Sequence, residues 1–336
     1  MTGAMDDKKY GLSDMDKMGM NKTVKILVFY EFPSTIDSDK LISSVMEGVK
    51  NATRQLPFMA GNLQFDNSGK LCIMTHPGSQ VEVNINRFEC TEHKRFSAMA
   101  KVSFSPNELD FIQFLPEESA SKDSVCALQL SLVEGGMVLG LSMTHAAADW
   151  SSIDRFLSLV CQGSKAHLKD LEMPTYAPDL HREPYNTPMP DPSISRQDLL
   201  EKLPIFYVME KSQLKPKVPP SLKSRIFKTS ESSIQQLKAH CTPYLSGLDY
   251  IASYDCISAL LWTSIVRARL CLHPEKITSP SRFVHPIDVR TRDPENKTSE
   301  RYFGNAVIGC QAGPLNAQDL VSDGDRGLAS AAGLIR

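Results

Sequence analysis

The chain has 336 residues, 41% of them hydrophobic, which is ample for one large packed core or for two. With 37 basic and 39 acidic residues and no run of like charge, nucleic acid and anionic membrane surfaces are excluded as main partners. The N-terminal stretch is polar and charged, no apolar run approaches the length of a membrane span, and the eight cysteines form neither a C-x-x-C nor a Cys/His cluster. The expectation is a cytoplasmic protein with reduced, mostly buried thiols and no metal site.

The first strand expected is "VKILVFYEF" (24 to 32), β-branched and aromatic and read as buried. A helix follows from Asp39 to Leu56, with Leu41, Val45, Val49, Ala52 and Leu56 on one face, and Pro57 and Gly61 stop it. "KLCIM" and "VEVNI" are short strands separated by a Pro-Gly turn at 77 and 78. "SVCALQLSLV" and "MVLGLSMT", joined through Glu134-Gly135-Gly136, make a β-hairpin spanning 124 to 144. "WSSIDRFLSLVCQ" then places Ile153, Phe156, Leu157 and Val160 on one helical face, with Ser151 and Asp154 in a capping pattern.

Ten of the 21 prolines fall between Pro174 and Pro220, so that stretch reads as an extended crossover between two halves. Beyond it, "RIFKTS" has the composition of a strand and Glu231 to His240 of a short helix. "SYDCISALLWTSIVRARL" reads as a long amphipathic helix, "RFVHPIDV" and "NAVIGCQAG" as two more strands, and "DRGLASAAGLIR" begins another helical pattern. Methionines 5, 15, 18 and 20 suggest a flexible apolar arm at the N-terminus.

The chemistry concentrates in "SMTHAAADW" (142 to 150), where His145 ends the second hairpin strand and Asp149 stands four residues on. A histidine titrates near neutral pH and suits general-base work, and a strand-to-helix connection holds a side chain on a rigid scaffold facing a cavity. The plain alternatives are a structural histidine in a strand-end loop and an aspartate that only caps the helix. His285, next to Pro286 in a strand, reads as a packed core residue. No G-x-S-x-G elbow supports a serine hydrolase.

Taken in order, the His145/Asp149 motif, the Pro-rich crossover, "SYDCISALLWTSIVRAR", "IDVRTRDP" and "RYFGNAV", with the early "LPFMAGNL", resemble the BAHD-type acyl-CoA-dependent acyltransferases, especially the branch similar to trichothecene O-acetyltransferases. The resemblance implies an α/β fold of mixed sheets with flanking helices, related to chloramphenicol acetyltransferase and built of two domains. On that pattern residues 1–173 form an N-terminal domain carrying H-x-x-x-D, 174–222 the crossover and 223–336 a partial C-terminal domain. It implies acyl-CoA, in particular acetyl-CoA, as co-substrate with no permanently bound cofactor. The other substrate is a hydrophobic small molecule of secondary, terpenoid-like character whose hydroxyl is acylated by a monomeric enzyme.

The resemblance further implies that His145 removes a proton from the acceptor as it attacks the thioester in a ternary complex. Asp149 points away from substrate and pairs with arginine; the motif register selects Arg290 over Arg292. The three alanines between His145 and Asp149 then leave room for a substrate atom beside the imidazole. Ser253 is a helix cap or a contact of the pantetheine arm. Lys215, Lys217, Lys223 and Arg225 are CoA-phosphate ligands or a solvated basic linker, and Gly304 and Asn305 are read as backbone-shaping residues. The sequence departs from the family in Trp150, where glycine is usual, and in the absence of D-F-G-W-G. That absence implies a C-terminally shortened chain with an exposed sheet edge or apolar face in its second half, and leaves a non-catalytic binding remnant as the alternative.

Overall fold

The computed structural model describes residues 7–33, 35–89, 95–117, 123–186, 193–202, 224–245, 247–292, 299–321 and 324–336. The chain divides into two compact units, the first made of 1–193, 217–226 and 288–307 and the second of 194–216, 227–287 and 308–336.

In the first unit the elements run β1 (Lys8–Gly11), α1 (Asp14–Met18), β2 (Thr23–Glu31), α2 (Ser38–Gln55), β3 (Asn62–Phe65), β4 (Leu71–Thr75), β5 (Glu82–Arg87), α3 (Phe96–Lys101), β6 (Cys126–Val133), β7 (Gly136–Thr144) and α4 (Trp150–Leu168). The expected hairpin is β6–β7, an antiparallel pair closed through Gly135 at φ +79°. It forms the middle of a four-stranded sheet ordered β2-β7-β6-β5, in which β5 runs parallel to β6. β7 alternates as a strand must: Met137, Leu139, Leu141 and Met143 enter the main core, while Val138 packs in a smaller cluster with Phe96 and Phe114 on the other side. "VKILVFYEF" forms β2 but is an outer strand, paired only with β7 among the described strands, so its side chains are half-buried and not buried as the composition suggested.

Helices α2 and α4 cover the core face of this sheet. Asp37 caps α2 by accepting from the backbone N–H groups of Asp39 and Lys40, and Val45, Val49, Ala52 and Leu56 are buried as the periodicity predicts. At about 1.5–3 kcal/mol for each large apolar side chain removed from water, this stripe anchors the helix. Gly163 of α4 lies against Gly48 of α2, so close that a Cβ on Gly163 would stand 3.0 Å from the Gly48 Cα. Of the N-terminal arm, Met5 lies outside the described residues; further on, β1 adds to a second sheet, β1-β4-β3, and α1 is closed by a capping box between Ser13 and Asp16.

The second unit contains α5 (Arg196–Lys202), α6 (Glu231–Cys241), α7 (Ser253–Leu272), β8 (Pro280–Asp288, whose last residue belongs to the first unit), β9 (Val307–Asn316, whose first residue does), α8 (Ala317–Val321) and α9 (Gly324–Ile335). Cys256, Ala259, Trp262 and Val266 of α7 pack with Leu328, Ala329, Ala332 and Ile335 of α9 in its core. Apolar side chains are also left outside: Leu261, Ile265 and Leu272 of α7, Val284 of β8 and Ile308 of β9 are exposed.

Several local readings are corrected. "RIFKTS" forms no strand, since Ile226 and Phe227 are exposed and no neighbouring strand pairs with the segment among the described residues. Ser253 is the first helical residue of α7 and not its cap; Ala252 holds that position and Asp255 accepts its N–H at 2.7 Å. The cap of α4 is Asp149, so the Ser151/Asp154 pattern is not used. His285 is buried, between the rings of Tyr254 and Phe283, each 5.7 Å away. Of the Pro-rich crossover, 187–192 and 203–222 lie outside the described residues.

Candidate active site

His145 follows the last residue of β7, and its backbone is tied at once: its N–H donates to the Lys22 carbonyl at 2.8 Å. The chain then turns through Ala146, Ala147 and Ala148, all buried in the main core. The small side chains of the alanines let the turn press into the core, a compact connection that fixes the path from His145 to Asp149. The His145 side chain is half-buried, and its Nδ1 is a buried nitrogen with no hydrogen-bond partner. Such an atom costs free energy unless the site uses it or a ligand supplies a partner. Trp150, where the family pattern has glycine, starts α4 with its indole exposed.

Asp149 is only 2% exposed, and its carboxylate is fully engaged. Oδ1 accepts from the Ser152 N–H at 3.1 Å, which caps α4, and from Arg290 Nη2 at 2.9 Å. Oδ2 accepts from Arg290 Nη1 at 2.9 Å and from the Ala306 N–H at 2.9 Å. The cap and the arginine pair therefore coexist. The pairing is bidentate, the geometry for which a planar guanidinium is suited.

Arg290 is itself buried and every nitrogen of its head group is used. Nε donates to the Tyr302 carbonyl at 3.1 Å, Nη1 also to Asp288 Oδ2 at 2.9 Å, and Nη2 also to Ser152 Oγ and the Gly304 carbonyl at 3.0 and 2.9 Å. Burial works against its charge, but the hydrogen bonds and charges of Asp149 and Asp288 outweigh burial and hold its pKa above the ordinary arginine value. At Asp288 the balance is similar: burial pushes the pKa up, and hydrogen bonds from Ser151 and from Arg290 bring it below the usual carboxylate range.

The segment 302–306 wraps this pair. Gly304 has φ +154°, where a side chain is strained, and a Cβ there would overlap the Arg182 guanidinium. Its neighbour does more than shape the backbone: Asn305 Nδ2 donates to the His145 carbonyl at 2.8 Å and to Asp16 Oδ1 at 3.0 Å, and the Asn305 N–H donates to the same Oδ1 at 2.7 Å. Asp16, wholly buried on α1, was not singled out in the sequence. The signal was Ser13-x-x-Asp16, a capping box that ties down the segment read as a flexible arm.

The structure thus brings His145, Asp149 and Arg290 into one network within the first unit. Ser253 belongs to the second unit, half-buried at the start of α7. Arg225 is exposed, and Lys215, Lys217 and Lys223 lie outside the described residues. A cavity of about 940 Å³ is lined by Met20, Lys22, Thr23, Ser142 and Thr144 among others, with His145 not among its lining residues. No group of side chains able to hold a metal ion occurs among the described residues. Nor does any described helix have the length and apolarity to cross a membrane.

Comparison with known proteins places these features in context. The family model described as Transferase matches residues 4–324. The chain is 25% identical over 336 residues to a Penicillium crustosum protein named enoyl-CoA isomerase/hydratase claC, covering 93% of this chain and 36% of that one. It is 23% identical to acyltransferase BOA11 of Botryotinia fuckeliana, covering 89% of this chain and 68% of that one. The crystal structure of F. sporotrichioides TRI101 complexed with coenzyme A and T-2 superposes with a TM-score of 0.68 at 16% identity, over 97% of this chain and 73% of that one. That likeness is one of fold, and it bears out the acyltransferase-type α/β architecture implied by the motifs. The chain spans roughly a third of the first of these relatives and about two thirds of the second.

Proposed function

The chain belongs to the Transferase family, and from that premise we propose that it transfers an acyl group, acetyl in the first instance, from acyl-CoA to a hydroxyl of a hydrophobic secondary metabolite of terpenoid-like character. His145 is the general base. With Nδ1 buried, Nε2 is the nitrogen that takes the acceptor proton as the alcohol oxygen attacks the thioester carbonyl. The tetrahedral intermediate then collapses, the C–S bond breaks, and the imidazolium returns the proton to the departing sulfur as CoA–SH. A thioester is already activated, so no acyl-enzyme is required. A positioned base of this kind contributes on the order of 10²–10⁴ in rate.

The observation that carries this reading is the contrast between the two motif residues. Asp149 has its oxygens filled by Arg290, the Ser152 N–H and the Ala306 N–H, which leaves it a structural role. His145, held on the same turn, is only half-buried and has its Nδ1 turned into the protein without a partner, which leaves Nε2 as the nitrogen for the acceptor. Ser253 in the second unit, with Lys215 and Lys217, is proposed to meet the CoA moiety. Binding of coenzyme A by the TRI101 protein supports the co-substrate. The seven described cysteines are free thiols, which suits a reducing, cytoplasmic compartment, and a monomer is the proposed working form.

The test is thiol release from acetyl-CoA by this chain against a panel of hydrophobic alcohols, with His145→Ala beside it. Acceptor-dependent release that falls at least about a hundredfold in the variant is the expected result. Equal rates in the two proteins would remove His145 from the chemistry. Absence of CoA binding and turnover would leave the chain without the proposed activity.

A further inference from the structure

His145 is held from a direction that the motif does not disclose. Its carbonyl accepts a hydrogen bond from Asn305 Nδ2 at 2.8 Å, and the same amide group donates to Asp16 Oδ1 at 3.0 Å. Both partners of Nδ2 are acceptors, one a carbonyl and one a carboxylate, so the amide has only one chemically sensible orientation.

The two oxygens of Asp16 divide their work. Oδ2 serves the N-terminal segment: it accepts the Ser13 N–H at 2.8 Å, completing the capping box of α1, and lies 3.4 Å from Arg182 Nη1. Oδ1 is given to Asn305, accepting from its backbone N–H at 2.7 Å and from its side chain. A cap on a five-residue surface helix does not need a carboxylate with no exposure. Burying that charge is costly, and here the burial places two donors of one residue, Asn305, beside the His145 peptide.

We propose that Asn305, braced by Asp16, is a positioning residue for His145. With the His145 N–H on the Lys22 carbonyl and the His145 carbonyl on Asn305, the peptide groups on both sides of its Cα are fixed, and only the side-chain torsions remain free. Gly19 completes the brace: a Cβ there would stand 2.6 Å from both the carbon and the oxygen of the His145 carbonyl, so the turn after α1 lies directly against it. Both Asn305 and Asp16 are buried and reach His145 only through its backbone. They set where the imidazole points, and a displacement of about 1 Å at a reacting group is worth on the order of 10² in rate. The inference rests on His145 being the base, but the orientation of its ring is observable apart from catalysis.

The experiment combines kinetics with histidine-selective ¹⁵N NMR on the full chain, the His145 imidazole signals being identified by their loss in His145→Gln. Asn305→Ala is expected to lower kcat by about ten- to a hundredfold, with KM for acetyl-CoA and acceptor within about twofold, and to shift the His145 ring signals. An unchanged kcat, or unchanged ring signals, in a folded Asn305→Ala protein overturns the proposal even if His145→Ala abolishes turnover and the acyl-transfer reading stands. If wild type shows no turnover, displaced ring signals in the variant still support positioning while the acyl-transfer reading falls. Should Asn305→Ala not fold, Asp16→Asn probes the same link while keeping one acceptor oxygen. A smaller shift of the same ring signals is expected, and no shift overturns the proposal.

Discussion

Replacing Arg290 with methionine removes a guanidinium of similar length and leaves Asp149 buried with its charge uncompensated. From the structure, Asp149 keeps two donors, the Ser152 and Ala306 N–H groups, and loses two charge-assisted hydrogen bonds of 2.9 Å each. The buried carbonyls of Tyr302 and Gly304 lose a donor as well. Hydrogen bonds to charged groups contribute about 1.5–3 kcal/mol each, and breaking a buried ion pair by removing one partner costs about 3–5 kcal/mol. The two routes agree on roughly 3–5 kcal/mol, a large part of an ordinary folding free energy of about 5–15 kcal/mol. Urea unfolding followed by tryptophan fluorescence measures it: of the two tryptophans, Trp150 lies at the start of α4 in the first unit and Trp262 in the second, so a Trp262→Phe background isolates the unit that holds the pair. A double-mutant cycle with Asp149→Asn should return a coupling energy on the order of 2–3 kcal/mol. A loss below about 1 kcal/mol for Arg290→Met would refute the description of this pair as a buried, desolvated anchor.

Gly304→Ala forces a side chain onto φ +154° and into the Arg182 guanidinium; a loss of at least about 2 kcal/mol in the same unfolding assay is expected. Asp288 has a depressed pKa in the folded chain, so its contribution is present above the unfolded-state value of about 3.9 and is lost as pH falls through the lower folded value. Urea midpoints taken from about pH 6 down to pH 3 should therefore converge between wild type and Asp288→Asn at the acid end, and parallel curves would contradict the sign. In the second unit, Ser253→Ala should change stability by less than about 0.5 kcal/mol while Asp255→Ala costs about 1 kcal/mol, because Asp255 supplies the acceptor at the start of α7. Equal losses in the two would return the capping role to Ser253.

Those parts of the fold that repeat within a short window were legible. The β6–β7 hairpin announced itself by two apolar runs around a glycine turn, and α2 by five apolar residues at helical spacing. Short polar strands such as β1 and β3 carry no such signal, because four residues with one or two half-buried side chains do not make a period. "RIFKTS" had strand composition without a strand to pair with, and pairing is a tertiary fact. In the site, the relation of His145, Asp149 and Arg290 was implied by the family resemblance, which itself rests on motifs in a set order along the chain. The Asp16–Asn305 bridge was not, since it joins residues 289 positions apart through side-chain atoms. For the same reason 288–307 was read with the C-terminal half, whereas hydrogen bonds from Arg290, Gly304, Asn305 and Ala306 fasten it to the first unit.

The measurement that tests the central claim most directly is a single-turnover reaction of the chain with acetyl-CoA carrying a labelled acyl group and an excess of a hydrophobic alcohol, with the label followed by mass in acceptor, protein and water. Direct transfer promoted by His145 predicts that the label passes to the acceptor oxygen with matching release of CoA–SH, that no acylated protein accumulates, and that His145→Ala suppresses the transfer. Label retained on the protein, or released only as the free acid, would contradict it.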